Sequence, residues 1–177
     1  MTETAAPAYA LTLKPLRRAP NLTESLLYGL KWTLGAMFED PFAVRDVAVA
    51  VREVIDNVLI HADWDRTPAP SLLVRYRVHR GLPQLCVSST NVVRDLEEAE
   101  RALHFLDEHL SDSSSPMPDR ALTARLIDGA SIRTSGGIGL LQIASSPRCH
   151  LTVRLEGPLF HVRVDVDVPA LKAAPDV

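Results

Sequence analysis

Apolar residues recur at helical spacing along residues 41–62. Val44, Val47, Ala48, Val51, Val54, Ile55, Val58 and Leu59 fall on one side, a stripe that predicts a helix with one buried face. Asp40 offers an N-cap and Pro41 suits the first helical position. The opposite side carries Asp46, Glu53, Asn57 and His61, interrupted by Val49, Ala50 and Ile60. A fully solvated face would not carry these aliphatic residues, so this side is expected to be half covered, as the wall of a cleft is. Upstream, Asn21 and Glu24 have capping-box spacing and open another helix that runs to about Glu39.

After turn signals in Asp65–Pro70 the pattern changes. Ser71–His79 and Gln84–Ser89 read as strands joined by a tight turn at Arg80–Gly81–Leu82–Pro83. Arg94–Leu110 carries Leu96, Ala99, Leu103 and Leu106 on one helical stripe. The segment SDSSSPMP has nothing to pack and is expected to be a flexible connector. A short helix at Ala121–Ile127 follows. The glycine-bearing stretch DGASIRTSGG then leads into a helix at about 138–146. Two final strands, His150–Leu155 and Leu159–Val168, pair around Glu156–Gly157–Pro158, and Tyr9–Leu13 reads as an edge strand. The predicted order is β, α, α, β, β, α, loop, α, β, β, which gives a two-layer α/β sandwich with helices on one face of a sheet. Residues 9–169 form a single domain, with loose Ala- and Pro-rich tails at 1–8 and 170–177.

Composition narrows the class. Hydrophobic residues make up 46% of the 177 residues and charged residues 23%, ordinary values for a folded domain. The net charge of −3 and the scattered arginines predict no general affinity for nucleic acid or for membranes. The start, MTETAAPAYA, has neither a basic nor an apolar leader region, so a cytoplasmic chain is expected. Cys86 and Cys149 lie in strand-like runs and read as reduced, buried thiols.

Two segments could carry chemistry. Glu53 and Asn57 stand one helical turn apart on the same face. An Asn oxygen is a hard neutral ligand suited to Mg²⁺, and a Glu one turn away can accept a proton or orient a water. Ser135–Gly136–Gly137–Ile138–Gly139–Leu140 lies at the mouth of a helix, where glycines let free N–H groups approach an anion. This segment lacks the P-loop pattern and follows no strand, so it is neither a Walker motif nor a dinucleotide fingerprint. His61 and Arg133 are further candidates for lining a phosphate cleft, although both also suit structural or solvated positions. The remaining histidines show no metal spacing.

In order and spacing the chain resembles the histidine-kinase-like ATPase (GHKL) superfamily, which includes the anti-sigma-factor kinases. VREVIDNVLIHA looks like the N-box of that family, with Glu53 at the proposed base and Asn57 at the magnesium-binding asparagine. SGGIGLLQIA looks like its second glycine box, with Gly137, Gly139 and Leu140 matching best. The likeness covers about residues 20–168. The SiaB-type branch of bacterial protein kinases is closer, because its strand after the hairpin ends in a short Asn-containing turn. Here that turn is Cys86–Val87–Ser88–Ser89–Thr90–Asn91–Val92–Val93. The wider family has D-x-G-x-G at this point, with the Asp accepting a hydrogen bond from adenine; Ser89, Asn91 and Val93 stand in those places.

The resemblance implies a Bergerat-type fold with a mixed sheet covered by helices on one face. It also implies a Mg-ATP-dependent protein serine/threonine kinase that acts on a small regulatory protein, with a homodimer among its assembly states. Asn57 would hold Mg²⁺ and Glu53 would act as the base. Ser89, Asn91 and the stretch Gly136, Gly137, Ile138, Gly139 and Leu140 would hold ATP. The alternative is a degenerate, non-catalytic member that regulates signalling by holding a partner protein.

Overall fold

The computed structural model describes residues 8–12, 22–66, 71–79, 81–110 and 135–169. Its elements in chain order are β1 (Ala8–Thr12), α1 (Leu22–Met37), α2 (Pro41–His61), β2 (Ser71–His79), β3 (Leu82–Val92), α3 (Leu96–Leu110), α4 (Ser135–Ala144), β4 (Cys149–Glu156) and β5 (Leu159–Asp167). Ala8, expected in the loose N-terminal tail 1–8, begins β1; the rest of that tail, the tail at 170–177, the SDSSSPMP connector, the helix at 121–127 and Arg133 lie outside the described residues.

The strands form one sheet in the order β1-β2-β3-β5-β4. Every neighbouring pair is antiparallel, which corrects the expected mixed sheet. The reason is local. Two helices, α1 and α2, separate β1 from β2, so the chain returns beside β1 in the opposite sense. Two hairpins supply β2–β3 and β4–β5, turning at Gly81 and Gly157 with φ of 81° and 58°, values that glycine adopts without strain. The β4–β5 hairpin docks with β5 against β3, so strands of like direction never meet.

Alternation along each strand sorts the two faces. Phe160, Val162, Val164 and Val166 of β5 are buried on the helical side, with Val87 and Leu85 of β3 and Leu72 and Val74 of β2. Helix α2 covers them with Val47, Val51, Val54, Ile55 and Val58; each such side chain contributes roughly 1.5–3 kcal/mol through burial. The other face of the sheet is mostly polar, with Gln84 and Cys86 of β3 buried among its longer side chains. Across it, Arg77 pairs with Asp165 at 3.0 Å and Gln84 donates to Asp167 at 2.9 Å.

Asp40 caps α2 as its sequence predicts, accepting from Phe42 N at 2.9 Å and Ala43 N at 3.3 Å. Its second oxygen holds Arg148, in the turn between α4 and β4, and this partner pulls the Asp40 carboxyl below its ordinary value. Cys86 and Cys149 are free and buried. Among the described residues no helix is long and apolar enough to cross a membrane.

Candidate functional site

The half-covered face of α2 has two parts. Along its first turns α4 packs against it, and Ser146, just past α4, donates to Asp46 at 3.3 Å. Beyond Glu53 the cover stops and a cavity of about 540 Å³ opens. Asn57, Ile60 and His61 of α2 form one wall. Asn91 and Val93 from the end of β3, with Phe160 of β5, form the floor, Asn91 standing opposite Phe160 in the strand register. The third wall is Arg94 and the first turns of α3, with Glu98, Arg101 and Phe105.

Backbone bonds hold these walls together. Asp63 N donates to Val92 O at 2.7 Å, Arg94 N to His61 O at 3.0 Å, and Val93 N to Pro158 O at 2.9 Å. The end of α2 is therefore tied to the end of β3, and β3 to the β4–β5 turn. Asp95 caps α3 by accepting from Glu98 N at 3.0 Å, as expected for an Asp three residues before a Glu. His61 Nδ1 lies 3.8 Å from Glu98 Oε1, so α2 and α3 face each other across this edge. His61 Nε2 is buried without a hydrogen-bond partner among the described residues.

Asn91 is 3% exposed, yet its side chain has little to hold it. Its Nδ2 lies 3.4 Å from the carbonyl of Val92, at the long limit of a hydrogen bond, and no described residue bonds its amide oxygen. Ser89, two residues earlier on the same face of β3, is buried and its Oγ has no described partner. It stands behind the cavity rather than in its wall.

Glu53 meets α4. A Cβ added to Gly139 would lie 1.7 Å from Glu53 Oε2, so the glycine is what admits the carboxylate there. Burial, and secondarily the charge of Asp56, raises the Glu53 carboxyl above its ordinary value; Arg52 opposes this weakly. No hydrogen bond or ion pair ties this carboxylate to another described residue. A half-buried, unpaired carboxylate is an unusual feature and a common one at functional sites.

The sequence candidates thus divide. Asn57 and Asn91 share the cavity, while Glu53 and Gly139 touch one turn away from it. Ser89 and Leu140 belong to the core, Leu140 fully buried. Gly136, Gly137 and Ile138 lie in the first turn of α4, because the helix starts at Ser135 and not near 138. Arg94, Glu98, Arg101, Phe105 and Phe160 were not singled out from the sequence. The Asp95–Glu98 capping pair gives a sequence signal for where α3 begins, whereas Phe160 enters through strand register alone. Among the described residues no group of three or more His, Cys, Asp or Glu is gathered to hold a metal ion.

No protein-family model matches this chain, and no curated protein matches it significantly.

Proposed function

We propose that the chain binds Mg-ATP in the cavity beside Asn57 and transfers a phosphoryl group to a serine or threonine of a small regulatory protein, as a kinase of the histidine-kinase-like type. The observation that carries this reading is the meeting of two sequence-distant segments. Glu53 of α2 occupies the space that Gly139 of α4 leaves free, one turn from Asn57 in the cavity wall.

The cavity residues fit such a ligand. Its volume lies within the usual range for small-molecule sites. Phe105 and Phe160 offer apolar surface to a base, Asn57 and Asn91 offer amides, and Arg94 and Arg101 offer positive charge. Asn57 would give Mg²⁺ one neutral oxygen, leaving the other positions to water and phosphate. Outside the cavity lining, the first turn of α4, with Gly136 and Gly137, suits phosphate oxygens through its free N–H groups. Bound Mg-ATP would supply the phosphoryl donor and the charge neutralisation that such transfer needs. Glu53, with its raised pKa, is suited to accept the hydroxyl proton. To do so its side chain must leave Gly139 and turn toward Asn57.

A protein partner is supported by α1. Tyr28 and Trp32 project from it 68% and 69% exposed, with their rings edge to face at 6.4 Å. Aromatic side chains of this kind are enriched at protein interfaces. The adaptor reading is favoured by one fact: Glu53 does not line the cavity, so a bound nucleotide there would lack an acceptor base.

Calorimetry of the full chain with ATP tests the nucleotide site on which the kinase reading rests. Binding with Mg²⁺ that weakens about tenfold or more in EDTA supports the site, and no heat at millimolar ATP overturns it. Labelled phosphate on a partner recovered by pull-down separates kinase from adaptor; a partner that is captured but never labelled favours the adaptor.

A further inference from the structure

We infer that the cavity reads the purine base through the amide of Asn91 and therefore accepts 6-amino and 6-keto purine nucleotides alike. This rests on the nucleotide reading above and names the class of ligand that the site admits.

Asn91 lines the cavity floor opposite Phe160. Ser89, the neighbouring hydroxyl on the same face of β3, lies behind the floor. The base edge therefore meets an amide. An ionised carboxylate only accepts hydrogen bonds and a guanidinium only donates, whereas an Asn amide does both. One Nδ2 hydrogen can point to the Val92 carbonyl 3.4 Å away. The other hydrogen and the amide oxygen remain for a ligand.

The two purine classes present mirrored patterns. A 6-amino purine offers an amino donor beside a ring-nitrogen acceptor, and a 6-keto purine offers a carbonyl acceptor beside a ring N–H. An amide matches the first in one orientation and the second after a half-turn about its terminal torsion, which has a broad, twofold profile. The half-turn would set Oδ1 against the Val92 carbonyl, but at 3.4 Å that contact is too weak to fix the orientation against two bonds to a base. Of the other lining groups, Val93, Phe160 and Ile60 have apolar side chains, and the reading above gives Asn57 to the metal and the charges of Arg94 and Arg101 to the phosphates. Asp95 Oδ1 is engaged by the backbone of α3, and Glu98 faces His61.

The test is calorimetry of the full chain in Mg²⁺ with ATP, inosine triphosphate and purine riboside triphosphate, the last lacking any 6-substituent. ATP and inosine triphosphate are expected to bind within about threefold of each other, and purine riboside triphosphate about tenfold more weakly. A difference of about tenfold or more between ATP and inosine triphosphate overturns the inference but leaves nucleotide binding standing. Equal binding of purine riboside triphosphate also overturns it. If none of the three binds, the nucleotide reading itself fails and the inference falls with it. Asn91→Asp presents acceptors only, so it should retain ATP and lose inosine triphosphate by about tenfold or more. Unchanged binding of inosine triphosphate by a folded Asn91→Asp protein refutes the proposal. Should that variant not fold, the comparison of the three nucleotides on the wild-type chain decides alone.

Discussion

Replacing Gly139 with Ala tests whether the contact between α2 and α4 is a designed fit. The added Cβ would lie 1.7 Å from Glu53 Oε2, 2.6 Å from Cδ and 3.3 Å from Cγ. No structure tolerates the first two distances, so one partner must move. The clash falls on the far end of a flexible side chain, and the carboxylate is expected to swing out while the helices stay in place. Two effects then oppose each other. Alanine gains about 0.5–1 kcal/mol over glycine inside a helix. Expelling Glu53 loses the packing of its methylenes, although it returns a half-buried carboxylate to water. Gly139→Ala alone should therefore change stability by less than about 1 kcal/mol. In a Glu53→Ala background nothing obstructs the new methyl, and the helical gain should appear in full. Urea unfolding of the wild type, both single variants and the double variant, followed by circular dichroism, measures the coupling. A coupling near 1 kcal/mol is expected for residues in direct contact. Additivity within about 0.5 kcal/mol would show that Glu53 does not depend on the missing side chain.

Asn57→Ala should reduce ATP affinity in Mg²⁺ at least about tenfold, or 1.4 kcal/mol; calorimetry showing unchanged affinity at an unchanged melting temperature removes Asn57 from the metal site. Glu53 has a folded-state pKa above its ordinary 4.5, so the folded chain holds this proton more tightly than the unfolded one. Stability should then fall as pH rises from that value through the folded pKa, a loss that Glu53→Gln abolishes; identical pH profiles of unfolding for the two proteins would refute the burial argument. Burial pushes the Cys149 thiol up to about 11 and raises Cys86 as well. Iodoacetamide at pH 8 should therefore modify neither thiol until the chain unfolds, and rapid labelling of the native protein would contradict it.

Most elements were legible because each is specified by its own neighbours in sequence. The stripe from Val44 to Leu59 and the Asp40–Pro41 start define α2 locally, and the structure ends this helix at His61, one residue short of the expected boundary. The hairpin turns follow from Gly81 and Gly157, the positions that need positive φ. The half-covered face of α2 was also readable at Val49 and Ala50, which are half-buried and buried, whereas Ile60 lines the cavity 55% exposed. Which part of that face is covered was not, because the answer depends on where α4 docks.

The same division runs through the candidate site. Sequence alone determined that Glu53 and Asn57 share a helical face, since a spacing of one turn needs no tertiary contact. It ended the strand at Ser89 and put Asn91 in a turn, whereas β3 runs on to Val92 and alternation sets both residues on one face. Only the tertiary structure decided that Asn91 reaches the cavity while Ser89 stays behind it, and that Phe160 stands opposite Asn91. It likewise decided that Glu53 rests on Gly139 and not in the cavity, and that the sheet is antiparallel throughout. Periodicity says which side of an element a residue occupies, but not what is packed there. That choice is made by strand order, register and helix docking, which depend on burial summed over the whole core and leave no local mark on the chain.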